Sequence, residues 1–361
     1  MAFYMTVSFR KTFGAALIVA GTSIGAGMLA LPVVSAPGGF FPALLVYGFC
    51  WLLMLLTGLF FVELALNMPE NSNIVSMAKK YLGQRGAYLA WAVYLFLFYS
   101  LSVAYVAAGG KFFQQLMPWM GWLAPLSFAL SCGLIVALGA HVVERCNLFL
   151  MAGLVLSYCM FLASSWPYVQ LSFLTRTDFP KALTALPIIF TAFSYQSVIP
   201  SLTGYLNRDA KALRKAILIG VSFTLVIYII WELLILGVIP FEGEHGLLNL
   251  NHHKQGAIGS LQYYVGATNL YQIGQLFAFF AVTTSFLGVA FGLMDFLADG
   301  LRLKHSSKHI LLWSLTFFPP TLIAYTTPDI FFTALKQADG FGFEVLKEIF
   351  PPVKVWNTRL H

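Results

Sequence analysis

Residues 21–32 read GTSIGAGMLALP. Gly21, Gly25 and Gly27, with the small hydroxyls Thr22 and Ser23, interrupt a run (12–34) that is otherwise apolar. The run has membrane length, since a span takes roughly 20 residues. A glycine weakens a helix by about 1 kcal/mol relative to alanine, and lipid tolerates non-helical backbone only where protein or a cavity surrounds it. The stretch therefore predicts a membrane helix broken at half depth beside a cavity.

The rest of the chain fits that setting. Of its 361 residues, 59% are hydrophobic and 10% charged, and the mean hydropathy is +0.80, far from a soluble domain. Charged and Pro/Gly-rich breaks divide it into about ten apolar runs: 12–34, 40–66, 87–109, 121–140, 147–168, 182–204, 214–239, 271–298, 309–327 and 329–350. Lys336, Asp339, Glu344, Lys347 and Glu348 interrupt the last. Arg10 and Lys11 precede an apolar stretch longer than the core of about 7–15 residues in a cleaved signal, so the first segment is expected to be retained. The loops are short, which predicts one membrane domain over 1–361, all α-helical and polytopic.

Net charge is +7, but in a membrane protein the sidedness of the basic residues carries the information. With a cytoplasmic N-terminus, fifteen fall on the cytoplasmic side, among them Arg10, Lys11, Arg145, Arg208, Lys211 and Arg214; Lys111, Arg176, Lys181 and Lys254 fall on the other. This asymmetry supports both the span count and that orientation, and it gives no reason to expect a nucleic-acid partner. Cys50, Cys132, Cys146 and Cys159 lack metal-type pairing and read as packing residues. His245, His252 and His253 lie in the longest polar stretch, 240–270, and read as solvated loop residues. Residues 70–86 predict a short amphipathic surface helix, with Met77, Ala78 and Tyr81 on one face and Lys79 and Lys80 off it.

A second broken run supplies the internal comparison. In run six, Pro187 and Pro200 bracket a centre carrying Thr191, Ser194, Tyr195, Gln196 and Ser197. Two discontinuous helices five spans apart predict an inverted repeat of five plus five helices, with a binding site between the breaks. Repeat one is expected over about 12–168 and repeat two over about 182–350.

The chemistry of the breaks predicts a zwitterion site. Around Gly25-Ala26-Gly27 the backbone can present free N–H groups at the start of a half-helix through Met28, where peptide dipoles favour an anionic group such as a carboxylate. Carbonyls near Gly21, Thr22 and Ser23 suit an ammonium or a cation. In run six, carbonyls from Phe190 to Ala192 suit the amine, and Phe193, Tyr195 and Gln196 are expected to face the side chain; close packing through small residues and aromatics is the bland alternative. Thr283, Thr284 and Ser285 in run eight suit Na⁺, which takes oxygen ligands, or bond back to their own helix. Glu232 is the deepest ionisable residue and the candidate proton carrier, while Glu63 is expected near an interface and Asp295 and Asp299 near Arg302 and Lys304 at a gate.

GTSIGAGMLALP in run one, LPIIFTAFSYQSVIPSL in run six and TTSFLGVAFGLMDFLAD in run eight together resemble the bacterial hydroxy/aromatic amino acid permease family, close to tyrosine and tryptophan permeases, within the amino acid, polyamine and organocation superfamily. The likeness runs from about residue 8 to 350. It implies the leucine-transporter-like fold, symport of an aromatic amino acid with H⁺ or Na⁺, no cofactor beyond that ion, and residence in the bacterial inner membrane among its lipids. It implies a substrate site formed by Ser23, Gly25, Ala26, Gly27 and Met28 against Thr191, Phe193, Ser194 and Tyr195, with Thr284 and Ser285 in the ion pocket; the reading of the residues themselves adds Thr22, Ile24, Phe190 and Gln196 to the substrate site and Gly21, Thr22 and Glu232 to ion coupling. Family members usually have eleven spans, against ten read here. Some have a mid-membrane lysine in the fifth helix where this sequence has Gly153, which turns attention to Na⁺ or to Glu232. The pattern does not specify an oligomeric state. An intramembrane enzyme would need clustered catalytic groups, which the sequence lacks; a channel or sensor would not need paired broken helices.

Overall fold

The computed structural model describes residues 2–68, 74–253, 256–265, 268–301, 309–327, 330 and 333–334. The described residues are helical throughout. The first run is two helices, α1 (Ala2–Ser23) and α2 (Leu31–Ser35), separated by a 3-10 turn, Ala26–Leu29. α3 (Phe40–Leu66), α4 (Ile74–Leu116), α5 (Ala124–Ala137) and α6 (Ala140–Ser165) complete the first half. The sixth run is likewise divided, into a short α7 (Phe179–Ala182), α8 (Leu186–Ala192) and α9 (Ile199–Tyr205). α10 (Ala210–Val238), the loop helices α11 (Leu247–His253) and α12 (Leu261–Val265), α13 (Thr268–Gly300) and α14 (His309–Thr326) follow.

Seven of the described helical stretches are long and apolar enough to cross a membrane, and Ile310–Thr326 is a shorter apolar one. With the divided α1 and α2, the first nine expected runs are all represented; the tenth falls almost wholly outside the described residues. The surface helix expected at 70–86 is seen from Ile74 onward as the start of α4, which bends at Gly83, where φ is 70°. Met77 and Ala78 are buried, as their shared face predicts.

The spans are apolar on every side, so neighbours rather than sequence period decide which face is inward. On α3, Phe41, Leu45, Phe49, Leu52 and Leu56 form one exposed stripe for lipid, while Tyr47, Cys50, Met54 and Phe61 are buried on the other side. α3 packs on α10, α4 on α13 and α5 on α14. The second, third and fourth spans thus each pair with the span five places later, and α1 packs on α10 as α8 and α9 pack on α3, as a two-fold inverted repeat requires.

These contacts fall into two bodies. α1, α2, α3, α8, α9 and α10 form one, and α4, α5, α13 and α14 the other. α6 bridges them, lying along α13 and donating a hydrogen bond from Tyr158 Oη to Ile227 O of α10 at 3.0 Å. At the basic end, the Arg208 guanidinium donates to Leu66 O at 2.5 Å and Met68 O at 2.9 Å, where the free carbonyls ending α3 favour a cation. Glu63 pairs with Arg214 at 3.8 Å, the interfacial partnership expected of it.

Gly220 sets the approach of α10 to α1: a Cβ there would lie 2.6 Å from Ala16 O and 2.7 Å from Val19 Cβ. Gly220→Leu is expected to wedge the two helices apart at a cost of about 1–3 kcal/mol. Thermal unfolding of the detergent-solubilised protein checks this, through a melting temperature several degrees lower.

Candidate functional site

The first break is built by space rather than by a special backbone angle. Gly25 is extended, with φ −151° and ψ −155°, and Met28 N and Ala30 N then close the tight turn onto Gly25 O at 3.1 Å and Gly27 O at 3.2 Å. A Cβ on Gly25 would fall on the Ser285 hydroxyl of α13, and one on Gly27 would meet Ala192 Cα at 3.8 Å. Gly25 therefore lets the opened backbone lie directly against α13, while Gly27 faces the second break with room for a Cβ at ordinary contact distance. Ala26 N donates to Ser285 Oγ at 3.2 Å, which gives a half-helix N–H a partner across the two bodies. Met28 and Ala26 are fully buried.

The second break follows Ala192. Phe193 N returns to Ile189 O and Phe190 O, and Ser194 N to Thr191 O at 2.8 Å, so those carbonyls are engaged locally. Tyr195 N is met by the Gln196 side-chain oxygen at 3.2 Å. The Gln196 amide in turn donates to Thr57 Oγ1 at 3.1 Å, and Tyr195 Oη donates to Met54 O at 2.8 Å. Both side chains are thus fastened to α3, and Gly58 of α3 leaves the room that the Tyr195 hydroxyl occupies. Tyr195 and Gln196, expected to face a solute, spend their polar groups on α3, and Gln196 also on the broken backbone. The Thr191 hydroxyl is buried and has no hydrogen-bond partner among the described residues, while Phe193 is fully buried with its ring edge-on to Tyr228 at 5.0 Å.

Tyr228 of α10 joins the breaks. Its hydroxyl lies 2.7 Å from Ser23 O, at the end of α1, and 2.7 Å from Ala192 O, at the end of α8. Ser23 Oγ also reaches toward Ser194 O at 3.4 Å. Sequence reasoning missed Tyr228, one of several aromatics in an apolar helix. The available signal was its position one turn before Glu232 on the same face.

Not every predicted hydroxyl points inward. Thr22 is exposed and bonds back to Ile18 O at 2.7 Å. Thr284 bonds back to Phe280 O at 2.8 Å and Ala281 O at 3.1 Å. Of the three hydroxyls expected to suit Na⁺, Ser285 meets the break, while the buried Thr283 hydroxyl has no hydrogen-bond partner among the described residues. Gly21 lies against Met151 of α6, Ile24 is partly buried against the core, and the Phe280 ring covers Gly153. Glu232 is fully buried; Ser35 of α2 donates to its Oε1 and Tyr47 of α3 to its Oε2 at 2.8 Å. The gate expected at Asp299, Arg302 and Lys304 lies outside the described side chains.

A cavity of about 330 Å³ opens on the face that carries the 240–265 loop. Leu29, Ala108, Phe112, Phe279 and Val282 line it, with Gln275 as a polar wall, so it descends from that face to the turn that follows the first break.

Paired broken helices in an inverted repeat, with a cavity reaching the turn of the first break, define a secondary transporter. The chain belongs to the tryptophan/tyrosine permease family, whose model matches residues 9–361. It is 34% identical to the tyrosine-specific transport system 1 of Haemophilus influenzae, over 97% of this chain and 89% of that protein. It is 30% identical to the tryptophan-specific transport protein of the same organism, over 96% and 87%. Its structure resembles that of MhsT in complex with L-phenylalanine, with TM-score 0.63 and 15% identity over 95% of this chain and 86% of that one, a likeness of fold, and MhsT has the leucine-transporter fold. The relatives are named as transport proteins and permeases, so the intramembrane-enzyme reading falls.

Gly25→Leu would drive a side chain into Ser285 and part the first break from α13. It is expected to abolish solute uptake while membrane insertion, read from protein level in isolated membranes, stays normal.

Proposed function

We propose that this protein imports an aromatic amino acid, tyrosine or tryptophan, across the bacterial inner membrane by H⁺-coupled alternating access, with its N-terminus in the cytoplasm. The observation that carries the reading is the convergence of both breaks within one buried region, with the orphaned Thr191 hydroxyl beside them. The Gly25-Ala26-Gly27 turn would receive the substrate carboxylate, because a half-helix start favours negative charge. Phe193 and Thr191 then bound the space for the side chain. The names of the relatives, and the phenylalanine in the MhsT complex, support an aromatic solute.

The choice of H⁺ over Na⁺ rests on two observations. Ser285 Oγ already accepts from Ala26 N, which leaves it a single lone pair for an ion. Glu232 is a buried carboxyl held by two hydroxyls, in the setting of an intramembrane proton carrier. The body of α1, α2, α3, α8, α9 and α10 would rock against that of α4, α5, α13 and α14. Binding of solute and proton need only favour one of the two positions. The excess of basic residues at the Arg208 end supports the inward orientation of that end.

Uptake of labelled tyrosine and tryptophan into proteoliposomes tests this. An inward pH gradient is expected to drive accumulation against a concentration gradient, with mutual competition among aromatic amino acids, and a Na⁺ gradient alone is expected not to. Accumulation driven by Na⁺ alone, or flux that fails to saturate, would overturn the reading.

Glu232→Gln keeps the shape of the side chain but not its proton exchange. Gradient-driven accumulation should fall at least about tenfold while solute counterflow, which needs no net proton movement, persists; a tenfold change corresponds to about 1.4 kcal/mol. Parallel counterflow and pH-driven uptake measurements check it.

A further inference from the structure

In a membrane protein the C-terminal end of a half-helix carries partial negative charge, because its last carbonyls have no partner within the helix. Here two such ends meet. Ser23 O closes α1 and Ala192 O closes α8, and both lie 2.7 Å from one atom, Tyr228 Oη. Such a meeting point at mid-membrane is suited to a monovalent cation, which would neutralise both ends at once. A neutral phenol holds it instead.

We infer that Tyr228 is a tethered substitute for a cation between the breaks: the position is a seat for a small alkali ion, and the phenol hydroxyl fills it. The inference rests on the transport reading only for its uptake assay. The chemistry is local. A phenol has one proton and faces two carbonyls, so it satisfies one acceptor fully and the other only in alternation. Ser23 Oγ, 3.4 Å from Ser194 O, adds a further oxygen at the edge of the same cluster. The ring is immobilised, with Phe193 edge-on at 5.0 Å and the whole of Tyr228 buried, so the hydroxyl is delivered to a fixed point. By filling the seat, Tyr228 makes the closeness of the two breaks independent of any dissolved ion and leaves coupling to groups elsewhere.

The test is Tyr228→Phe, which keeps the ring and removes the oxygen. Uptake of labelled aromatic amino acid is compared for wild type and variant in choline, sodium and lithium media under one imposed pH gradient. The variant in choline is expected to fall at least about tenfold, the factor implied by buried acceptors left unsatisfied. Sodium or lithium should restore most of the loss by entering the vacated seat, with wild type indifferent to the substitution of choline. A merely structural role predicts a loss that no alkali ion changes, and that result overturns the assignment, as does a variant as active in choline as wild type.

Tyr228→Lys supplies the complementary arm, since a tethered ammonium has protons for both carbonyls. It should take up solute in choline with no response to sodium. If Tyr228→Phe is not recovered folded, Tyr228→Lys decides alone: activity in choline upholds the assignment and inactivity overturns it. Wild type that transports no aromatic amino acid would sink the transport reading and not this one. In that event the melting temperature of Tyr228→Phe in sodium against choline replaces uptake, with stabilisation by sodium expected and indifference overturning the assignment.

Discussion

A backbone amide or carbonyl without a partner in hydrocarbon costs roughly several kcal/mol, and the architecture around both breaks answers that cost. The interrupted helices cannot satisfy their own ends, so other elements reach in. Ser285 of α13 takes the Ala26 N–H, Tyr228 of α10 serves Ser23 O and Ala192 O, and Gln196 folds back on Tyr195 N while Thr57 of α3 holds its amide. Most of these partners lie far away in sequence. Discontinuity at mid-membrane is thus possible only inside this tertiary structure, and a variant that removes one partner acts on two helices together.

The same partners divide the molecule functionally. Tyr228, Gln196 and Thr57 all belong to the body that contains the breaks, so they hold it as one unit. Ser285 belongs to the other body, and its bond to Ala26 N is a polar joint between them. Gly25 permits that joint, since a side chain there would occupy the place of the Ser285 hydroxyl. A small residue at the break is thereby both a point of weakness in a helix and a contact surface between the two bodies. Glu232 adds a third junction, linking α10 to α2 and α3 one helical turn from Tyr228, so the hydroxyl that joins the breaks and the buried carboxyl share one face of one helix.

Much of this was legible in the chain. The positions of both breaks follow from glycine and proline placed where lipid would otherwise demand an unbroken helix. Met77 and Ala78 were placed on the buried face of the surface helix by spacing alone, and the interfacial role of Glu63 by its depth. The side chains around the breaks were another matter. Thr22 and Thr284 look as suitable for a ligand as Ser23 and Ser285, yet the first two bond to their own preceding turns, while Ser23 divides its hydroxyl between Val19 O and Ser194 O and Ser285 meets Ala26 N. Tyr195 and Gln196 are the most polar members of run six, and both serve α3.

By itself the sequence determined that the chain is a membrane protein, where its two helices break, how its basic residues are sided and which family it resembles, because composition, length and local backbone preference carry those properties. Only the tertiary structure decided which hydroxyls meet the breaks, that Tyr228 binds two of their ends, and that Glu232 rests on Ser35 and Tyr47. The physical reason is that a span buried on one side and bathed in lipid on the other is apolar all round. It has no amphipathic stripe to reveal its rotation, and each residue turns the helix by about 100°, so neighbouring hydroxyls such as Thr284 and Ser285 have opposite fates that only the packing of distant helices assigns.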